Sequence, residues 1–478
     1  MRKSCLVIFI LINQLVSGQQ KALESLLADS AMAGASVSIC FINTVDNRII
    51  FEYNSSHSLV PASILKLITS SAAIELLGPD YSFKTRAGYT GTINKRTGAL
   101  SGDIIIMGGG DPALGSPYFS RQYGDVAGEI VSSVINTGIK KVDGRIFADD
   151  SRYDYQPVPA GWVWEDLGNY YGAGVYGLSV FDNSYSIHFR TSGEGSIPEI
   201  TGIFPLQCRQ DLSNMLRASG TTDKGYIFSA PYNSYGWMAG TIPTDRQDFV
   251  LKASISDPPL LFAKIIDHML DSAGIDIRNE PSTARTEKSL PENDFNLIFE
   301  KNSPYLKEIV KVLNHESVNL YAETLLKELG KVLRNEGSTT SGIDVLYEFL
   351  KKAGIDRSGI FIEDGSGLSP GNAITSKGMA ELLSYMKGNS RNFNDLFNSL
   401  PEAGKAGTLK YYFKDPVFES NLRAKSGSMT RVRSYAGYFM TAKGDYISFC
   451  IIANNFSGSH QRIVNGIEEI LKEVIINN

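Results

Sequence analysis

Ser63 and Lys66 stand three residues apart, a spacing that brings two side chains to one face of a helix. A serine hydroxyl becomes a competent nucleophile when a neighbouring base takes its proton. Lysine can be that base if it is made to lose its own proton first. Two further runs carry compatible chemistry. Ser317-Val318-Asn319 offers a second hydroxyl and a carboxamide, and Lys425-Ser426-Gly427 offers a cation, a hydroxyl and a residue with no side chain. Together they suffice for acyl transfer through a serine ester without a histidine.

Taken singly, each run is common. Ser384 and Lys387 repeat the first spacing, Ser390 and Asn392 repeat the second, and a serine with a lysine three residues on also suits a capped helix with a solvated lysine. The repeats crowd around Gly388, leaving no room for separate structural elements between them. The first set is spread along the chain in the order S-x-x-K, S-x-N, K-S/T-G, the order found in penicillin-binding proteins and serine β-lactamases.

The likeness extends well past the trio. Pro61-Ala62-Ser63-Ile64-Leu65-Lys66-Leu67 with Leu77-Gly78-Pro79, Gly108-Gly109-Gly110-Asp111-Pro112, Asp149-Asp150-Ser151, Ser256-Asp257-Pro258, Asn319-Leu320-Tyr321-Ala322-Glu323, Asp364-Gly365-Ser366-Gly367-Leu368-Ser369 and Ala424-Lys425-Ser426-Gly427-Ser428 together resemble the D-alanyl-D-alanine carboxypeptidase/endopeptidase family, the class C low-molecular-mass penicillin-binding proteins. The resemblance implies Ser63 as nucleophile, Lys66 as its base and Ser317 as the proton relay to the leaving amine. It implies Asn319, Lys425, Ser426 and Gly427 as substrate-binding residues, with Ser428 contributing a backbone N–H, beside that of Ser63, to the oxyanion hole. Two positions depart from the family pattern: Val318 replaces the usual Asp or Asn, and Ser426 the usual Thr. Serine keeps the hydroxyl but loses the methyl that stiffens its rotamer. Arg431 stands where a small residue is usual; it either reaches the substrate carboxylate or lies on the rim, and both readings stay open.

The elements that must position these residues are legible in part. Residues 35–43 and 48–53 alternate or run apolar with Asp46-Asn47 between them, a hairpin signal. Pro61 opens a helix that Gly78-Pro79 closes. Helical periodicity recurs over residues 258–272, 305–313, 319–333, 338–353 and 376–386, and residues 421–425, 433–441 and 446–454 read as antiparallel strands. Residues 460–476 form a closing amphipathic helix. Its stripe of Ile463, Val464, Ile467, Ile470, Leu471 and Val474 suits a sheet better than a membrane surface, because Glu468, Glu469 and Glu473 would repel anionic lipid.

Ser317 follows Lys66 by 251 residues, more than one compact half-site needs. Short apolar runs among Gly, Tyr and Ser fill that gap and read as strands and turns. The expected organisation is a signal peptide over 1–18, a first catalytic part over 19–84, an inserted β-rich region over 85–250, for which the resemblance implies a division into two subdomains, and a second catalytic part over 251–478. The fold class is α+β: a penicillin-binding-protein/β-lactamase-like transpeptidase domain, its antiparallel sheet flanked by helices, interrupted by the large insertion. The strand order comes from the resemblance.

Arg2 and Lys3, an apolar stretch over 6–16 and the small residues Ser17 and Gly18 compose the secretory signal. The stretch is too short for a confident span, so no transmembrane segment is expected after cleavage; an uncleaved anchor is the alternative. Export places the protein in the periplasm or on the outer cell surface. Cys40, Cys208 and Cys450 remain after cleavage, an odd number, and no disulfide framework is implied. With five histidines, no C-x-x-C and no H-E-x-x-H, neither metal nor cofactor is expected. A formal charge of −5 gives no basic face for nucleic acid.

The expected function is a serine-type D-Ala-D-Ala carboxypeptidase, with DD-endopeptidase action on cross-links, acting on peptidoglycan stem peptides and acylated by β-lactams. A serine β-lactamase or esterase on the same scaffold and a non-enzymatic cell-wall binding module are the alternatives. Oligomeric state is not legible.

Overall fold

The computed structural model describes residues 18–208, 211–287 and 295–478, so the expected signal segment lies outside the described residues but for Gly18. Its centre is an antiparallel sheet of five strands: β1 (Ser36–Asn43), β2 (Ile49–Tyr53), β3 (Arg423–Met429), β4 (Val432–Met440) and β5 (Tyr446–Asn454), in the order β2-β1-β5-β4-β3. Strands from the two chain ends thus lie side by side, with Cys40 opposite Cys450 in the β1–β5 register. Both thiols and that of Cys208 are free and buried.

The two sheet faces follow from the period of two. Ile39 and Phe41 look one way, towards Ile463, Ile467 and Leu471 of the closing helix. Cys40 and Ile42 look the other way, into the core that holds Leu383 and Met386 of the helix Ser376–Asn389. Every member of the expected apolar stripe on residues 460–476 is buried, so that helix packs on the sheet. The first described helix, α1 (Gly18–Ala28), lies against this closing helix and buries Leu23 and Leu26; the sequence reading assigned it no element.

On the other face run α2 (Lys66–Leu77) and α3 (Asn319–Arg334). Residues 66–74 of α2 are all buried, which explains a sequence apolar or small almost all round. With the closing helix α4 (His460–Asn477), the sheet carries helices on both faces, as expected.

The segment between α2 and α3 is rich in strands, and its pairing does not change at residue 250. The strand Phe249–Ser254 pairs with Ser184–Arg190. The helix Pro258–Ser272 packs on the strand Ile146–Asp149 and the helix Val126–Asn136. The strand Asn296–Asn302 pairs with Lys84–Tyr89. The chain rejoins the helices around the central sheet at Leu306–Glu316, which packs on α2, some fifty residues later than the boundary expected from composition. Local patterning could not reveal this, because partners such as Lys84–Tyr89 and Asn296–Asn302 are remote in sequence.

Polar clamps fix the inserted segment to α3. Glu328, wholly buried, accepts hydrogen bonds from Tyr81, Arg152 and Tyr153. Next to it the buried Lys327 donates to Asp154 Oδ1 at 2.5 Å and to the carbonyl of Gln156 at 2.7 Å. Breaking a buried ion pair from one side strands the other charge. Glu328→Gln is therefore expected to cost roughly 3 kcal/mol, and Tyr81→Phe about 1 kcal/mol, in urea unfolding of the full chain. Equal midpoints for wild type and Glu328→Gln would show that the clamp is solvated and weak.

Candidate active site

The site begins at a short helical turn, Ala62–Leu65, that precedes α2. Pro61 caps it, and its carbonyl accepts a 2.5 Å hydrogen bond from Ser434 of β4. Ala62 is held at φ +48°, a left-handed conformation that costs a residue with a Cβ about 1 kcal/mol or more. Ser63 follows, half-buried, and Lys66 opens α2 with no solvent exposure.

Lys66 Nζ lies 3.0 Å from Ser63 Oγ, 2.6 Å from Asn319 Oδ1 and 2.7 Å from the Ser366 carbonyl oxygen. Burial pushes its pKa down to about 7, against the opposing pull of Asp364 and Glu323. A neutral amine has two N–H bonds and one lone pair. The carbonyl and the carboxamide oxygen take the two hydrogens, which aims the lone pair at the serine hydroxyl.

Ser317-Val318-Asn319 is an elbow between two helices. Ser317 ends Leu306–Glu316 at φ +60° and ψ +35°, and Asn319 begins α3. The elbow sends Asn319 Oδ1 to Lys66 and its Nδ2 to the Tyr171 carbonyl, at 2.7 Å, in the inserted region. Ser317 Oγ accepts at 2.9 Å from Lys425 Nζ, which also donates to the Ser426 carbonyl at 2.8 Å. Lys425 is buried on β3; burial first, then the cations of Lys66 and Arg433, hold its pKa well below the usual lysine value. The like-charge repulsion between the two lysines thus falls on Lys425.

Gly427 of β3 is in close contact with the serine turn. A Cβ built there would come within 2.6 Å of the Pro61 carbonyl oxygen and 3.0 Å of the Ser63 nitrogen. Ser426 Oγ donates to Thr408 Oγ1 at 2.7 Å. Ser428 lines the cleft beside Ser63. Arg431 sits exposed in the β3–β4 turn at φ +59° and does not line the cleft.

Sequence reasoning assigned no chemistry to residues 364–368, yet this loop supplies the Ser366 carbonyl. Asp364, fully buried, holds it in shape by accepting from Trp162 Nε1 at 2.9 Å, Gly367 N at 2.7 Å and Asn372 Nδ2 at 2.9 Å. Glu323 accepts from Gly365 N at 3.0 Å, and burial raises its pKa. The available signal was Glu323 itself, one helical turn after Asn319 on the same face.

Ser63, Ser317, Asn319 and Ser428 open into one cleft of about 730 Å³. Its far wall comes from the inserted region and includes Tyr118, Asp166, Tyr170, Tyr171 and Tyr226. Among the described residues no group of His, Cys, Asp and Glu could hold a metal ion, and no helix is long and apolar enough to cross a membrane.

The architecture is that of a penicillin-binding protein. Penicillin binding protein 4 (dacB) of Haemophilus influenzae superposes with a TM-score of 0.77 at 24% identity, covering 94% of this chain and 97% of that one; its complex with a β-lactam gives 0.73 at 22% identity, over 95% and 99%. The D-alanyl-D-alanine carboxypeptidase of Actinomadura sp. (strain R39) is 26% identical over 448 residues, 91% of this chain and 81% of the relative. The chain belongs to the D-Ala-D-Ala carboxypeptidase 3 (S13) family, whose family model matches residues 19–474. It is a peptidase of that family.

Because the Gly427 backbone abuts the Ser63 turn, Gly427→Ala is expected to displace the serine and lower kcat/KM for D-alanine release by about 100-fold, with a stability loss of about 1–3 kcal/mol from the forced contact. Full activity in that variant would show that the turn yields without moving Ser63.

Proposed function

We propose that the chain is a serine-type D-Ala-D-Ala carboxypeptidase that works through an ester on Ser63, acts outside the cytoplasmic membrane on peptidoglycan stem peptides, and also opens D-Ala cross-links. The observation that carries this reading is the buried Lys66, 3.0 Å from Ser63 Oγ, with a pKa near neutrality.

In the first step the Ser63 proton passes to Lys66 Nζ as Oγ attacks the carbonyl carbon of the penultimate D-Ala. The oxyanion sits between the backbone N–H groups of Ser63 and Ser428. Lys66 then gives that proton up to Ser317, which passes its own hydroxyl proton to the leaving nitrogen while Lys425 steadies its oxygen; the C–N bond breaks to leave the ester, a neutral Lys66 and a free D-Ala. Water then attacks the ester by the reverse proton path, which regenerates Ser63. Lys425 draws the terminal carboxylate, with the Ser426 hydroxyl beside it. Asn319 holds the peptide backbone and keeps Lys66 aligned. In a cross-link the leaving nitrogen belongs to a D-centre that also bears a carboxylate, so the same cation serves endopeptidase action. A β-lactam, whose amide lies beside a carboxylate, would enter the same way and acylate Ser63.

Incubation of the mature protein with a fluorescent penicillin, read by intact mass, is expected to give one stable adduct that Ser63→Ala lacks. Lys66→Met should slow acylation by about 1,000-fold. Equal labelling of wild type and Ser63→Ala would sink the mechanism, and rapid drug loss without an adduct would turn the reading towards a β-lactamase.

The base must be neutral to act. Lys66 gains a proton as pH falls through about 7, so kcat/KM should fall on the acid side of that value, by about tenfold per unit. A profile flat from pH 5 to 9 would exclude Lys66 as the base.

A further inference from the structure

The inserted region gathers aromatic rings at its surface. Trp164, Trp237, Phe228 and Tyr226 form a strip with ring centroids 6.2, 5.2 and 6.5 Å apart in that order. Phe228 and Trp237 are direct cross-strand partners between Lys224–Phe228 and Tyr235–Ile242, and their rings stack at 13°. Tyr226 lies two residues along the same strand, hence on the same face. Trp164 is 49% exposed, Tyr226 39% and Trp237 38%. Large apolar rings left in water as a contiguous patch mark a binding surface.

The strip meets the catalytic cleft at both of its ends. Tyr226 lines that cleft with Ser63, as do Val163 and Glu165 on either side of Trp164. Its middle, at Trp237, borders a groove of about 770 Å³ that mixes Tyr235, Thr201, Ser213 and Asn233 with aliphatic side chains and the carboxylate of Asp211. Flat aromatic faces beside hydroxyls, an amide and a carboxylate that can accept from sugar hydroxyls complement a sugar chain, which presents apolar C–H faces edged with hydroxyl and acetamido groups. A nucleic acid would want cations, which this lining lacks, and the Asp211 carboxylate opposes an anionic partner.

We infer that the Trp164–Trp237–Phe228–Tyr226 strip is a glycan-binding subsite that seats the sugar chain carrying the stem peptide while the peptide lies in the cleft. The inference rests on the proposed peptidoglycan peptidase activity for its occupant. Stacking on the strip lowers KM for sugar-linked substrate and contributes nothing to a bare peptide.

The chain has three tryptophans, and the third, Trp162, is buried against Asp364. Tryptophan fluorescence therefore reads the strip directly. Titration of the full chain with the β-1,4-linked tetramer of N-acetylglucosamine is expected to shift its emission saturably, and Trp237→Ala to weaken that binding by about tenfold. The same variant should raise KM for a disaccharide-linked stem peptide by about tenfold and leave kcat/KM for the sugar-free peptide within about twofold; Trp237→Phe should restore most of the loss. Equal losses on both substrates, or none on either, would overturn the proposal. So would an unmoved emission together with a concentration-dependent dimer abolished by Trp237→Ala, which would make the strip a contact between copies. If the wild type cleaves neither peptide but the tetramer still binds, the peptidase reading fails and the subsite stands.

Discussion

A lysine with no access to solvent and an ordinary charge would cost several kcal/mol to bury, and the architecture around Lys66 answers that constraint. It does not supply a carboxylate in direct contact, which would lock the ammonium. It supplies two neutral acceptors, the Asn319 carboxamide and the Ser366 carbonyl, at hydrogen-bonding distance. Asp364 and Glu323 act from further off, and their charges offset part of the desolvation. The outcome is a pKa of about 7, where both protonation states are within reach.

Each acceptor is itself held by something else. The Ser366 carbonyl depends on a loop that the buried Asp364 organises through its hydrogen bonds to Trp162 and Asn372. Trp162 belongs to the inserted region, so the electrostatics of the base reach across the molecule. The Asn319 side chain is steadied by the Tyr171 carbonyl, also in the insertion. The clamps of Glu328 and Lys327 on Arg152 and Asp154 keep that region in register with α3. The insertion is therefore part of what keeps the site in tune, besides forming the far wall of the cleft.

The residue types were legible because chemistry restricts them: few residues can serve as a base for serine, and the trio recurs in order. The fold class and the helices with long apolar stripes were legible too, since α4 and the helix Pro258–Ser272 each write a 3.6-residue period over many turns. The loop that feeds Ser366 to Lys66 was not, because its contribution is a backbone carbonyl and any residue has one. The left-handed positions at Ala62 and Ser317 escaped for a related reason: neither type favours that conformation, and it goes with tertiary packing, of β3 and β4 on the turn at Ala62 and of two helices on each other at Ser317. Where pairing is remote in sequence, as between Lys84–Tyr89 and Asn296–Asn302, composition gives no boundary.

The two lysines also explain how one site can hold a base and a cation side by side. Lys66 is among the charges that depress Lys425, and both are buried, so two protons in this space are unfavourable. In the proposed mechanism the arriving substrate brings a carboxylate to Lys425 and not to Lys66. That charge stabilises a proton on Lys425, and the resulting cation in turn disfavours one on Lys66. Binding of the terminal carboxylate thereby leaves the base neutral at the moment Ser63 needs it. In that mechanism a peptide without the carboxylate would lose both its anchor and this bias, so selectivity for a carboxylate beside the scissile bond and activation of the serine would arise from the same pair of lysines.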